Sequence, residues 1–366
     1  MSRADAVPVQ CVDKTVPSDQ LGMTLFHEHV FTDNRARAPQ PEASDERAWD
    51  VWTAPMEAQL AAHLRANPMA CLDNCVLEHT DAAIEELGYL VRAGGRTLVE
   101  QTPIGGGRQL SALVDVAAAT GLNIVAGTGF YMEIMHPPEL AGLSVDEIAE
   151  RMVADLTDGH DGVICGLIGE IGISAEFTAA EERVLRAAGR AQIGTGVPVS
   201  VHLPGWHRWG HRVLDCLAEE GVPASSVVLS HMNPSVDDHA YQLSLAERGA
   251  FLSFDMVGID WYFSHTGFQA PSDVEVAAAV HQIWAAGYGA QILLSGDTFL
   301  KIQLHQYGGP GYDHVPVRFL PRLERLGMDA DAVRALLTRN PGSVFESAAR
   351  NYRAGPARVR GGRAAG

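Results

Sequence analysis

The chain has 366 residues, 46% of them hydrophobic, and a net charge of -18. That length and apolar content suit one large barrel domain. The acidic excess argues against nucleic acid and anionic membrane surfaces as partners.

The first ten residues, MSRADAVPVQ, hold no apolar leader, and no run of about 18 apolar residues follows. A cytoplasmic chain with neither secretory signal nor membrane span is expected. Residues 1–20 read as a short β-hairpin. TLFHEHV at 24–30 is the first strand, and a long connection at 31–74 follows, carrying Trp49, Trp52 and several prolines. Long connections in compact domains are usually lids or binding elements. Seven more apolar runs come next: RTLVEQT at 96–102, LNIVAGTGF at 122–130, GVICGLIGEIG at 162–172, VPVSVHL at 197–203, SVVLSHM at 226–232, GAFLSFDM at 249–256 and AQILLSGDT at 290–298. Between them, segments such as SALVDVAAATG and SVDEIAERMVADL space their apolar residues three and four apart, as helices do. Residues 1–352 are therefore expected to form a single domain. The Gly-, Ala- and Arg-rich stretch 353–366 is expected to be a flexible tail.

Eight apolar strands, each followed by a helix, predict an α/β fold: a (β/α)₈ TIM barrel preceded by a hairpin. A doubly wound open sheet also alternates strand and helix. It would gather its polar residues at one switch point and follow a strand with a phosphate-binding glycine motif. Here the polar residues end many different strands, and the GGG at 105–107 has neither required spacing. The five cysteines, Cys11, Cys71, Cys75, Cys165 and Cys216, are odd in number and scattered, so no disulfide framework is expected.

His27 and His29 stand two apart on the first strand and so share one face. His202 ends the fifth run, His231 the sixth and Asp297 the eighth. Each follows an apolar stretch and should emerge at the C-terminal mouth of the barrel, where active sites of this fold lie. Buried polar side chains without partners are costly, so four imidazoles and a carboxylate at one mouth point to a metal site. Glu170, ending the fourth run in CGLIGEIG, could place one oxygen on each of two ions.

LGMTLFHEHV, GLIGEIG, VSVHLPGW, VVLSHMNP, LLSGDT and YGGPGYDHVPVRFLPRLERLGM with NPGSVF resemble the phosphotriesterase family of the amidohydrolase superfamily, over residues 7–345. Family members with a carbamylated lysine bridge on strand four differ from this chain, whose only lysines are Lys14 and Lys301. It resembles instead the glutamate-bridged branch of phosphotriesterase-related proteins. The resemblance implies that His27, His29 and Asp297 hold the more buried ion and His202 and His231 the more exposed one. Glu170 and a hydroxide would bridge them, and Asp297 would relay the hydroxide's proton. Two divalent ions per chain are expected, Zn²⁺ foremost, with Mn²⁺ or Co²⁺ accommodated by the same ligands.

The resemblance also implies hydrolysis of a small molecule: a carboxylic acid derivative (amide, lactone or ester), with a phosphotriester as the alternative. The branch most resembled is linked with N-acyl amino sulfonates. A mononuclear deaminase-type amidohydrolase and a non-catalytic binding protein are the competing classes. A homodimer is the expected assembly. For the substrate pocket, the loops after the strands offer Tyr131 and Met132, then Trp206, His207 and Arg208, then Asp255, Trp261 and Tyr262. Arg208 is the expected holder of a substrate anion. The catalytic pair is expected to be Asp297 and Glu170.

Overall fold

The computed structural model describes residues 6–264 and 266–354. Its eight long-range strands are β1 (Met23–Glu28), β2 (Gly95–Glu100), β3 (Asn123–Thr128), β4 (Leu167–Gly172), β5 (Val199–His202), β6 (Val227–Leu229), β7 (Phe251–Phe254) and β8 (Ile292–Leu294). They lie side by side in chain order. Every neighbouring pair is parallel. β8 returns to β1 through single contacts past the regular ladder: Asp297 N donates to His27 O at 3.3 Å and His29 N to Thr298 O at 3.2 Å. The result is the expected barrel. Its regular strands are shorter than the apolar runs, because the last residues of several runs leave the ladder to face the mouth.

Helices return the chain between strands, and their ends show why they start and stop. Ser144 and Thr178 open Val145–Thr157 and Ala179–Thr195 with reciprocal capping boxes to Glu147 and Glu181. Gly121 ends Leu110–Thr120 at φ 75°, a left-handed position that favours glycine.

One apolar cluster joins Phe26, Val99, Val125, Leu167, Val228, Phe251 and Leu293. These come from seven of the eight strands, and residues on opposite sides of a barrel meet only inside it. The expected hairpin, Pro8–Gln10 with Thr15–Pro17, adds Val9 and Cys11 to this cluster and closes that end. The larger cluster lies between strands and surrounding helices.

The connection at 31–74 is folded on its own terms. Thr32–Asp33 pairs with Val76–Leu77, and short helices run over Glu46–Thr53 and Ala61–Ala66. Its Met56, Leu64, Met69 and Cys71, with Cys75 just beyond it, pack against Ile259, Trp261, Phe299, Leu300 and Ile302 from the far end of the chain. Lys301 pairs with Asp73 at 2.6 Å, and Ile302 N donates to Asn74 at 2.8 Å. The expected tail begins inside the helix Asn340–Ala354, and from residue 355 it lies outside the described residues. All five cysteines are buried and unpaired, and burial foremost pushes the Cys11, Cys75 and Cys165 thiols up to about 12.

Candidate active site

Six side chains meet at the mouth, and all are buried: His27 and His29 from β1 and its end, Glu170 from β4, His202 from β5, His231 past β6 and Asp297 past β8. His27 Nε2 lies 3.2 Å from Glu170 Oε1 and 3.6 Å from Asp297 Oδ1. His29 Nε2 lies 3.3 Å from Asp297 Oδ1. His202 Nδ1 approaches Glu170 Oε2 to 2.7 Å, and His231 Nε2 is 3.7 Å from the same oxygen. Sequence reasoning named all six, and the fold brings all six together.

Local backbone geometry at two of these residues is costly. His231 and Asp297 have φ of 59° and 46°, in the left-handed region that non-glycine residues avoid at about 1–2 kcal/mol each. Fixed partners hold them there. His231 N donates to Asp255 Oδ1 at 3.0 Å. Around Asp297, Glu28 accepts from Gly296 N at 2.7 Å and from Thr298 N at 2.8 Å, while Gln303 Nε2 donates to Asp297 O at 2.7 Å. Each such hydrogen bond contributes about 0.5–1.5 kcal/mol, and several together offset the strain.

The imidazoles are oriented from behind. His231 Nδ1 is 2.8 Å from Asp255 Oδ1, and His27 Nδ1 is 3.4 Å from Asp255 Oδ2. His27 Nδ1 also meets Ser230 Oγ at 3.1 Å. His29 Nδ1 meets Thr102 Oγ1 at 2.9 Å, and that hydroxyl donates to Glu100. A nitrogen fixed from behind leaves the other one aimed into the centre, as a metal-binding imidazole requires.

Electrostatics of the cluster call for positive charge. Burial pushes His27 down, yet Asp255 and Glu170 carry it up to about 9. His231 is likewise raised against burial, by Asp255 and its neighbours. His202 falls to about 4, through burial and the nearby His231. Burial works against the Glu170 carboxylate, and the imidazoles around it hold it well below the usual range.

These residues fit a pair of divalent ions. Ligand atoms of His27, His29 and Asp297 lie within 4.8 Å of one another, as do those of His27, Glu170 and His231. His27 Nε2 and Glu170 Oε2 are buried without hydrogen-bond geometry to any described neighbour, although other donor atoms stand close. Nitrogen and carboxylate donors facing one another unsatisfied are what an N/O-preferring cation resolves. The first group matches the expected buried site. In the second, His231 is grouped with His27 and Glu170, and His202 stands on the same Glu170 oxygen as His231.

Above the cluster opens a cavity of about 310 Å³. Tyr131, Met132 and Trp206, expected in the pocket, line it. Gly172 makes the Tyr131 wall possible, since a Cβ there would sit 2.1 Å from Met132 N. Tyr131 Oη is 3.0 Å from His202 Nδ1, and burial lifts the phenol well above its usual value, so it remains a proton donor.

The other expected pocket residues lie elsewhere. Arg208 turns to Asp237 at 2.9 Å, Asp238 at 3.3 Å and the Gly205 carbonyl at 3.0 Å, because the loop before His239–Glu247 presents two carboxylates to it. It does not line the cavity. Trp261 is 3% exposed in the apolar cluster beneath the 31–74 segment, which needs its whole ring as core. His207 stacks on Trp209, and Tyr262 belongs to the small Tyr262–Phe263 and Phe268–Gln269 ribbon, outside the lining. Asp255 is wholly buried behind the histidines and serves them rather than a substrate.

Sequence reasoning missed Thr32, Asn34 and Arg37 from the long connection, and Met256, Phe268 and Phe299 from later loops. A signal for Asn34 and Arg37 existed: NRAR at 34–37 comes soon after the His-x-His strand end, which faces the mouth.

Residues 7–345 match the Phosphotriesterase family. N-acetyltaurine hydrolase of Danio rerio is 33% identical over 338 residues, 91% of this chain and 96% of that protein. A resiniferatoxin-binding protein from Rhodobacter sphaeroides superimposes with a TM-score of 0.89 at 45% identity, over 92% of this chain and 94% of that one. The phosphotriesterase homology protein from Escherichia coli, solved with phosphate in its active site, does so with a TM-score of 0.72 at 28% identity, covering 89% and 99%.

Proposed function

The chain belongs to the phosphotriesterase family and is a metal-dependent hydrolase of carboxylic acid derivatives; from that premise we propose that the bond it cleaves is the amide of an N-acyl amino compound. The observation that carries this reading is the buried ring of four histidines around Glu170 and Asp297, opening into a cavity with mainly apolar walls. Similarity to N-acetyltaurine hydrolases over nearly the whole chain supports an amide over a phosphotriester. His27, His29 and Asp297 would hold one ion, His202 and His231 the other, with Glu170 shared. The all-N/O donor set favours zinc, with manganese or cobalt as substitutes. When bound, such ions polarise the scissile carbonyl and acidify water.

The chain's own groups supply the rest. Asp297 Oδ1 faces His29 and its Oδ2 stands 3.9 Å from His231 Nδ1, at the floor of the cavity. There it takes the proton of the attacking water and delivers it to the leaving amine as the C–N bond breaks and the C–O bond forms. Tyr131 Oη, held protonated, offers a hydrogen bond to oxygen at the cavity floor. Trp206 and Phe268, with ring centroids 5.2 Å apart, wall the cavity against water. Five unpaired buried thiols support a reducing, cytoplasmic setting. Among the described residues no helix is long and apolar enough to cross a membrane.

A hydrolysis screen on metal-loaded protein tests the reading. The panel holds N-acyl amino acids, N-acetyltaurine, lactones, aryl esters and phosphotriesters. We expect the highest kcat/KM on an N-acyl amino compound, and a preference for triesters overturns the amide assignment. The 45% identity to a protein described as binding resiniferatoxin supports a second reading, ligand capture without turnover. Tight binding with no hydrolysis of any member would establish it.

A further inference from the structure

Of the described residues that line the cavity, Arg37 is the single lysine or arginine. Arg35, Arg108, Arg208 and Arg212, outside the lining, are paired with acids: Arg35 with Asp33, Arg108 with Asp155, Arg208 with Asp237 and Asp238, Arg212 with Glu182. Among the described residues no carboxylate comes within ion-pair distance of Arg37. Its one side-chain hydrogen bond among the described residues runs from Nη1 to Asn34 Oδ1 at 3.2 Å.

Packing explains how the guanidinium stays in place without an acid. Its Cζ lies 5.2 Å from the Tyr131 ring centroid and 5.8 Å from that of Phe299, so two aromatic faces hold it. A guanidinium carries five N–H donors in a rigid plane, and one of them is engaged here. The remaining donors are free for a planar or tripodal anion. The position relative to the reacting centre follows from the same contacts. Arg37 packs on Tyr131, Tyr131 Oη is 3.0 Å from His202 Nδ1, and His202 Nδ1 is 2.7 Å from Glu170 Oε2. One aromatic ring thus separates the cation from the metal-ligand cluster, a gap that a short linker bridges. The cavity wall also carries Met132, Ile134, Trp206, Phe268 and Phe299, which suit an apolar group.

We propose that Arg37 forms an anion subsite for a terminal carboxylate or sulfonate of the substrate, one short linker from the scissile bond. The proposal rests on the amide-hydrolase reading for its chemistry, but the subsite itself is read from the cavity. It transfers to Arg37 the role that the sequence alone assigns to Arg208. The substrate class becomes an N-acyl amino acid or amino sulfonate with its acidic group ionised.

Two matched pairs of probes test it on the metal-loaded protein. Hexanesulfonate and hexanol cannot be hydrolysed, and calorimetry compares their binding. N-hexanoyl-β-alanine and N-hexanoyl-β-alaninamide are compared by kcat/KM. Wild type is expected to favour the anionic member of each pair. Arg37→Met is expected to lower the anionic-to-neutral ratio about 10-fold or more, mainly through KM, since a charge-assisted contact is lost from the bound ground state. Arg37→Lys should recover part of the preference, because it keeps the charge without the planar fork. No anionic preference in wild-type binding, or an equal loss of both members in Arg37→Met, overturns the subsite. Turnover of both amides with an unchanged ratio in the variant also overturns it, and leaves the hydrolase reading standing. If wild type hydrolyses neither amide while hexanesulfonate binding still depends on Arg37, the amide reading falls and the subsite stands.

Discussion

The two ends of the barrel interior are built by the same strands and obey opposite rules. At the closed end Phe26, Val99, Val125, Leu167, Val228, Phe251 and Leu293 form an apolar layer sealed by the N-terminal hairpin. At the mouth, strand ends deliver His27, Glu170, His202, His231 and Asp297 to a space just as buried. The first end gains stability by removing apolar surface from water. The second keeps charged and polar groups unsatisfied among themselves and bends two residues into left-handed backbone. A strained, polar mouth is tolerable because the layer below supplies the stability it does not.

That contrast can be broken from either side. At the closed end, Leu293→Ala should lower unfolding stability by about 2–5 kcal/mol, the range for buried leucine truncations, while metal content and kcat per folded molecule stay near wild type. Denaturant unfolding and elemental analysis check both halves. A loss of metal in that variant would show that the two ends are not separable. At the mouth the converse is expected. Glu170→Gln keeps the shape and removes the charge that offsets two cations. Activity should fall by about 100-fold or more, roughly 2.7 kcal/mol of activation energy, with bound metal dropping from about two ions per chain. Stability of the metal-free protein should fall rather than rise at neutral pH, because the imidazoles that hold Glu170 ionised lose a charge partner.

Asp255 sharpens the contrast, since it is buried as deeply as the apolar layer yet belongs to the mouth. Asn in its place would still accept from His231 N. Its amide nitrogen could not accept from an imidazole Nδ1–H, so one of His27 and His231 loses its orientation. We expect a loss of about 10- to 100-fold in metal affinity or turnover, measured by metal titration and kcat. The smallest effect belongs to the outer rim. Arg208→Met removes an exposed pairing with Asp237 and Asp238, and such pairs contribute about 0–1 kcal/mol. KM on anionic and neutral substrates should stay within about twofold of wild type. A selective rise on the anionic one would restore Arg208 to the pocket.

These expectations divide along the line between what was legible in the chain and what was not. All eight strands and all six candidate ligands could be read, because strand signals are local: an apolar run, then a histidine or acid at its end. The folded character of 31–74 was not legible, since its apolar residues pack on Ile259, Trp261 and Ile302, some two hundred residues away. Trp261 looked like a pocket aromatic for the same reason.

The sequence by itself determined the barrel, the order of its strands and the candidate ligand set, because periodicity and strand-end position depend on neighbours within a few residues. Tertiary structure alone decided which arginine faces the cavity and what Asp255 does. Arg37 and Arg208 are equivalent as loop arginines. Acids at 237 and 238 turn Arg208 to the surface, while the rings of Tyr131 and Phe299 hold Arg37 at the cavity. Asp255 reads as one more residue after β7 until folding sets His27 and His231 against its two oxygens. A side chain's role follows from the groups it meets, and those groups are distant in the chain.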